Sequence, residues 1–202
     1  KNGRHAYDFL TSYDQAIAAA AAIAGPTVLV NLNHCGGSIG PPHTLGNTCS
    51  AMRSGSNSLS IALPDNMHYT LTRNIAAAVT NYENQFGNRR MMLYGDMPIT
   101  TAAITFNGYS KGKDSYAEYT LTWTSAASTM LIEFGGHLAM GMDVAGAGTG
   151  IAYGSGLGAG SIKGAPFHFK LSRLDGASLG SRDNQISGNA IQARLACDIT
   201  GP

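Results

Sequence analysis

Charge is what this chain has least of. Asp, Glu, Lys and Arg supply only 12% of its 202 residues, about half the usual share. Basic and acidic side chains number 13 and 12, so the net charge is +1. A balance this flat gives no electrostatic footprint for nucleic acid or for an anionic membrane surface. Long apolar runs are missing too. The Ala-rich run at residues 16–24 falls far short of the roughly 20 residues that a membrane helix needs, so no membrane insertion is expected. There is no fixed repeat of 20–50 residues, which sets solenoids and propellers aside. No charged or proline-rich linker divides the chain, and the length suits one domain spanning residues 1–202. No signal-peptide pattern opens it; Lys1-Asn2-Gly3-Arg4-His5 reads as the start of a mature or cut product.

Cysteine is scarce, with three in all. Cys35 and Cys49 share a Gly/Pro-rich loop at about 34–56, so a disulfide closing that loop is expected. Loop entropy puts its contribution at roughly 3 kcal/mol. Cys197 is left over: free and buried, paired between chains, or displacing one member of that bond.

What is present in quantity is glycine, 26 residues, with much Ala, Ser, Thr and Asn. Uncharged polar surfaces of this kind suit secreted proteins and packed assemblies. Period-two alternation is the main structural signal. In 114–124 it sets Ala117, Tyr119, Leu121 and Trp123 on one face and Glu118, Thr120, Thr122 and Thr124 on the other. ITTAAITFNGYS alternates likewise, and its Asn107-Gly108 reads as a hairpin turn. NSLSIALPD, RMMLYG, MLIEF and PFHFKLSRL add strands, the last closed by Asp175-Gly176. TVLVNLN and the tail after Gly176 add others. Seven to nine short strands in all predict a mainly β chain: an antiparallel β-sandwich or jelly roll with one or two short helices. One helix is expected at about 13–24, opened by a Ser12/Gln15 capping box and stopped by Gly25-Pro26. It has almost no polar face, so it is buried on most sides or packs on another subunit through Ala16, Ile17, Ala20 and Ile23. A second, from Asn74 to Phe86, would be capped by Thr72 and ended by Gly87.

Three segments share a pattern with known proteins. Arg4-His5-Ala6-Tyr7-Asp8-Phe9-Leu10-Thr11-Ser12-Tyr13-Asp14 resembles K-H-A-x-D-[YF]-L-T-[ST]-[FY]. The run from Leu131 to Ala139, containing Gly135-Gly136-His137, resembles [AV]-[LI]-x-[WY]-G-G-H-[IL]-A. The run from Gly158 to His168 resembles G-x-[AS]-I-x-G-[SA]-P-[YF]-H. Together they resemble a little-characterised β-sandwich module of large secreted bacterial surface proteins, found beside adhesin-type domains. The Ala-rich helix, the cysteine loop and residues 72–86 depart from that pattern. The resemblance implies an extracellular or cell-surface location. In such modules further strands precede the K-H-A segment, so it also implies a sheet that another copy completes by strand addition.

Chemistry is thinly signalled. His34, Cys35, His43 and Cys49 match no closed zinc spacing, and nothing around Cys35 specifies a catalytic base or oxyanion site. His137, His168 and Asp175 are the weak candidates for a metal site, against a reading in which each fixes a turn. The glycine run at 146–160 lacks a phosphate-loop signature. Asp175-Gly176 with Asp183-Asn184 lacks the acidic ladder of a calcium loop. No cofactor and no enzymatic activity are expected. The chain reads as a secreted structural subunit whose partners are copies of itself, assembled into a filament or surface layer, with other cell-surface components as further partners. The alternative is an adhesin or carbohydrate-binding module using the loops at 34–56 and 146–160, with Tyr109 and Tyr153 as stacking aromatics.

Overall fold

The computed structural model describes residues 6–24, 35, 46–65, 69–70, 73–110, 115–141, 152–154, 156–163 and 166–186. The strand expected at TVLVNLN, Cys197 and the end of the tail lie outside the described residues. In chain order the elements are β1 (Tyr7–Thr11), α1 (Tyr13–Ala24), α2 (Gly46–Ser54), β2 (Ser58–Ala62), β3 (Tyr69–Thr70), β4 (Arg73–Asn74), α3 (Ile75–Phe86), β5 (Arg90–Gly95), β6 (Ile99–Tyr109), β7 (Ala117–Ser125), β8 (Met130–Glu133), β9 (Gly135–Leu138), a 3-10 turn (Ala159–Ser161), β10 (Phe167–Leu174) and β11 (Ala177–Ile186). The chain is mainly β, and all the strand pairs described are antiparallel.

The main layers are a three-stranded sheet, β2-β5-β8, and the long β6-β7 hairpin. Residues paired across antiparallel strands point to the same face, and alternation does the rest. Leu59 and Ile61 of β2, Met91 and Leu93 of β5 and Ile132 of β8 thus share one face. Across from them lie Ala102, Ile104, Tyr119, Leu121 and Trp123 of the hairpin, in one apolar cluster. The hairpin's other face, Thr101, Thr105, Thr120, Thr122 and Thr124, is exposed. This is the expected sandwich.

Strand β1 divides that core from a second one. Leu10 joins the sandwich core, whereas its neighbour Phe9 points the other way, onto Ile75, Ala78, Val79 and Tyr82 of α3. Helix α3 ends where Gly87 adopts φ 86° and donates to Glu83 O at 2.8 Å, a left-handed cap that favours glycine.

Four local expectations change. Asn107-Gly108 is not the hairpin turn: β6 runs on to Tyr109, and Gly108, at φ 107°, sits at a register shift opposite Glu118. Glycine there makes a bulge, and the chain reverses later, where Ser110 N–H bonds Tyr116 O at 2.9 Å. The stretch at 34–56 is not all loop, because α2 occupies 46–54; with α1 and α3 the helices among the described residues number three. Among the described residues the strands number eleven, above the expected seven to nine, because β3 and β4 are two-residue bridges and β9 breaks from β8 at Phe134. Finally, Ser12 and Gln15 do not form a reciprocal capping box. The Ser12 hydroxyl donates to Gln15 Oε1 at 2.7 Å, and Gln15 Nε2 reaches the carbonyls of Phe86, Gly87 and Asn88. The short polar pair staples the start of α1 to the end of α3.

Candidate functional site

The two segments richest in motif character meet. Strand β1 pairs with β9, with Tyr7 opposite Leu138 and Phe9 opposite His137, so Asp8 is the extra residue of a bulge. Bulges re-aim a side chain out of the regular alternation. Here the Asp8 carboxylate is wholly buried and its Oδ1 accepts the His137 Nδ1 proton at 2.8 Å. The same oxygen accepts Phe9 N–H at 3.0 Å, and Oδ2 accepts the Tyr153 hydroxyl at 2.9 Å. With an ionised carboxylate as acceptor, His137 carries its proton on Nδ1. Its ring stacks on Phe9, centroids 4.4 Å apart and planes 4° apart, and stands edge-on to Tyr82 at 5.2 Å. The Tyr82 hydroxyl accepts from Thr11 at 2.9 Å. Burial pushes its pKa up, against the Thr11 hydrogen bond and the Arg89 charge.

A carboxylate–imidazole pair is also two-thirds of a nucleophilic triad. The third part is not assembled: among the described residues no Ser, Thr or Cys side chain hydrogen-bonds His137, and the Thr11 hydroxyl is committed to Tyr82. What the pair does is join β1, β9 and the segment around Tyr153 through one buried carboxyl group.

Next to it lies Arg89, whose side chain is completely buried. It donates to Leu10 O at 2.8 Å, to Glu83 at 3.0 Å and to Asp65 at 2.6 Å. Its guanidinium sits 5.4 Å over the Phe9 ring. One planar fork thereby ties β1, α3 and the end of the β2 segment together.

His168 does not join His137. It bonds Asp183 Oδ2 across the β10-β11 pair at 2.6 Å. Asp175 is exposed at φ 49° in the turn joining those strands, beside Gly176 at φ 77°. Among the described residues no three His, Cys, Asp or Glu side chains form a metal-binding group.

The expected disulfide is present: Cys35 and Cys49 are bonded, with Cα atoms 5.3 Å apart. One turn on from Cys49, Arg53 reaches the buried Glu133 at 3.2 Å and Asp14 at 3.7 Å. Burial lowers the Arg53 pKa, but Glu133, then Tyr94 and Asp14, outweigh it and the net direction is up. The Tyr94 hydroxyl is raised, chiefly by burial and then by its hydrogen bond to Glu133. The ion pair fastens α2 over the outer face of the three-stranded sheet, and the disulfide ties the helix to Cys35.

Of the helix residues expected to mediate assembly, Ala16 lies against Gly135 of β9 in its own chain, and Ile17 is half-buried. The side chains of Ala20 and Ile23 lie outside the described residues. Tyr153 and Tyr109 do not form open stacking platforms. Tyr153 is half-buried on Asp8, and Tyr109 packs edge-on against Phe106 at 5.3 Å with a buried hydroxyl.

The surface shows its most unusual feature at the β10-β11 ribbon. Phe167, Phe169 and Leu171 share one face of β10. Phe167 is buried at 6% exposure, Phe169 is half-buried against Tyr7 and Phe134, and Leu171 is 57% exposed. Every residue from Lys170 to Ser178 is exposed, Leu174 at 42% among them. The ribbon leaves the body for about 16 Å on strand geometry. Among the described residues no third strand pairs with either of its edges.

Fold and surface define an antiparallel β-sandwich protein with a projecting ribbon and an internal polar bracket. No family model matches the chain, and no characterised protein or solved structure matches it. Among the described residues no helix is long and apolar enough to cross a membrane.

Proposed function

We propose that this chain is a non-enzymatic, secreted structural subunit that self-assembles at the cell surface or into an extracellular filament. The observation that carries the reading is the ribbon. The apolar alternation Phe167, Phe169, Leu171 continues beyond the point where the chain's own core ends. An isolated two-stranded ribbon is at best marginally stable in water, and open edges recruit strands. A second copy is the partner that the resemblance implies. The disulfide suits an oxidising compartment, and the buried Asp8, His137 and Arg89 groups serve rigidity rather than turnover.

Light scattering and electron microscopy on the purified chain test this. Concentration-dependent assemblies that grow into filaments or sheets are expected. A monodisperse monomer at millimolar concentration would refute it.

A further inference from the structure

Among the described residues, the exposed large apolar side chains are Met97, Tyr116, Leu171 and Leu174. They fall at two ends of the molecule. Lys170 of the ribbon lies 5.4 Å over the Tyr116 ring, so Tyr116, Leu171 and Leu174 belong to one end. Met97 lies in the turn between β5 and β6. Register separates the two: Gly95, next to that turn, pairs with Met130 at the start of β8, whereas the ribbon's Phe169 packs on Phe134 just past the end of β8. The eleven residues of β6 span about 33 Å between the Met97 turn and the Tyr116 end.

Charge divides in the same way. The ribbon exposes Lys170, Arg173 and Arg182 against one exposed carboxylate, Asp175. The opposite turn carries Asp96 beside Met97, and no lysine or arginine occurs from Met91 to Ser110. Two ribbons laid face to face would bring like charges together. A ribbon laid on the Met97 turn brings apolar to apolar and cation to carboxylate.

We infer that the ribbon of one copy docks on the Asp96–Met97 corner of the next, giving a head-to-tail contact between opposite ends of the molecule. Such a contact uses different patches on the two copies and leaves one of each free, so it propagates as a filament unless a rotation closes it into a ring. This rests on the self-assembly reading above.

Two single-end variants test it. Met97→Asp removes the corner, and Leu171→Asp with Leu174→Asp removes the exposed apolar side chains of the ribbon. These side chains are exposed, so each variant keeps the wild-type circular dichroism and melting temperature. Each alone stays monomeric in sedimentation velocity, its self-association weakened by at least about tenfold. Mixed in equal amounts, they give a 1:1 complex and nothing larger, because one intact ribbon and one intact corner remain. Should either variant unfold, Met97→Cys and Leu171→Cys in a Cys197→Ser background decide instead, by forming disulfide-linked ladders. A Met97→Asp protein that still associates, a mixture without a complex, or no ladder overturns the head-to-tail contact while leaving self-assembly standing. A wild-type monomer would sink both.

Discussion

Replacing Arg89 by methionine keeps an unbranched apolar stem and removes the guanidinium fork beyond it. Three consequences follow from its contacts. The Leu10 carbonyl, inside the wall between the two cores, loses a 2.8 Å partner, a loss of about 1–3 kcal/mol for a buried acceptor. Glu83 loses its cation, but its side chain is 25% exposed and water screens it, so about 1 kcal/mol is reasonable. Asp65 is more than half exposed and contributes little. The stacking of the guanidinium over Phe9 adds roughly 1 kcal/mol in a dry site. Relief from desolvating the cation offsets part of this. The net expectation is about 3 kcal/mol, and a melting temperature lower by about 6–12 °C for a chain of this size. Urea titration of the oxidised protein, followed by tryptophan fluorescence, reads it directly. Arg89→Lys should lose about 2 kcal/mol, because charge alone does not replace the fork. A loss below about 1 kcal/mol for methionine would mean that the ion's desolvation cancels its bonds, and the account of β1 as a strand fastened by Arg89 would be wrong.

The other expectations are shorter. Cys35→Ser should destabilise the oxidised chain by about 3 kcal/mol, and hydrogen exchange should rise first in α2; unchanged protection in α2 would refute its role as a fastening. Gly158→Ala should cost more than Gly136→Ala. The new methyl at Gly158 would overlap the Gly141 backbone nitrogen and lie 2.8 Å from Ala139 O, whereas at Gly136 it meets the Phe169 and Tyr7 rings, which can shift. Overpacking typically costs about 1–3 kcal/mol, so chemical denaturation should rank the two, Gly158→Ala at the top of that range or beyond. The Ser128 hydroxyl and the Thr129 backbone hold the Asp96 pKa below its ordinary 3.8. A depressed folded value stabilises the fold above pH 3.8 and loses that contribution as pH falls through the folded pKa. The gap in melting temperature between wild type and Asp96→Ala should therefore be full at pH 7 and shrink below pH 3.8; a gap independent of pH would refute it.

The layers were legible in the sequence because alternation is a local property. Leu59 and Ile61, or Tyr119, Leu121 and Trp123, announce their face without reference to any partner. Asn107-Gly108 misled because the same dipeptide serves a turn or a bulge, and only the register of the opposite strand decides which. Helix α2 was hidden by its composition: GNTCSAMRS has no apolar stripe, and a disulfide and one arginine supplement the packing of its buried Met52. The polar bracket was half visible. Asp8 and His137 each stand inside a motif-like segment, yet they lie 129 positions apart and nothing local couples them. Gln15 was read as part of a cap, because its true partners are three backbone carbonyls, which no sequence pattern marks.

That same separation has a consequence for how the molecule is made. Strand β1 carries Phe9 and Leu10, both of which need shelter, yet its partner strand is synthesised much later. At roughly 5–20 residues per second a ribosome needs about 6–26 s to cover the distance. Through that interval the strand's backbone edge waits without the β9 pairing, and its bulge admits a single phase when the partner arrives. A strand translated long before its partner thus completes its pairing late, and a holding chaperone would find its target there.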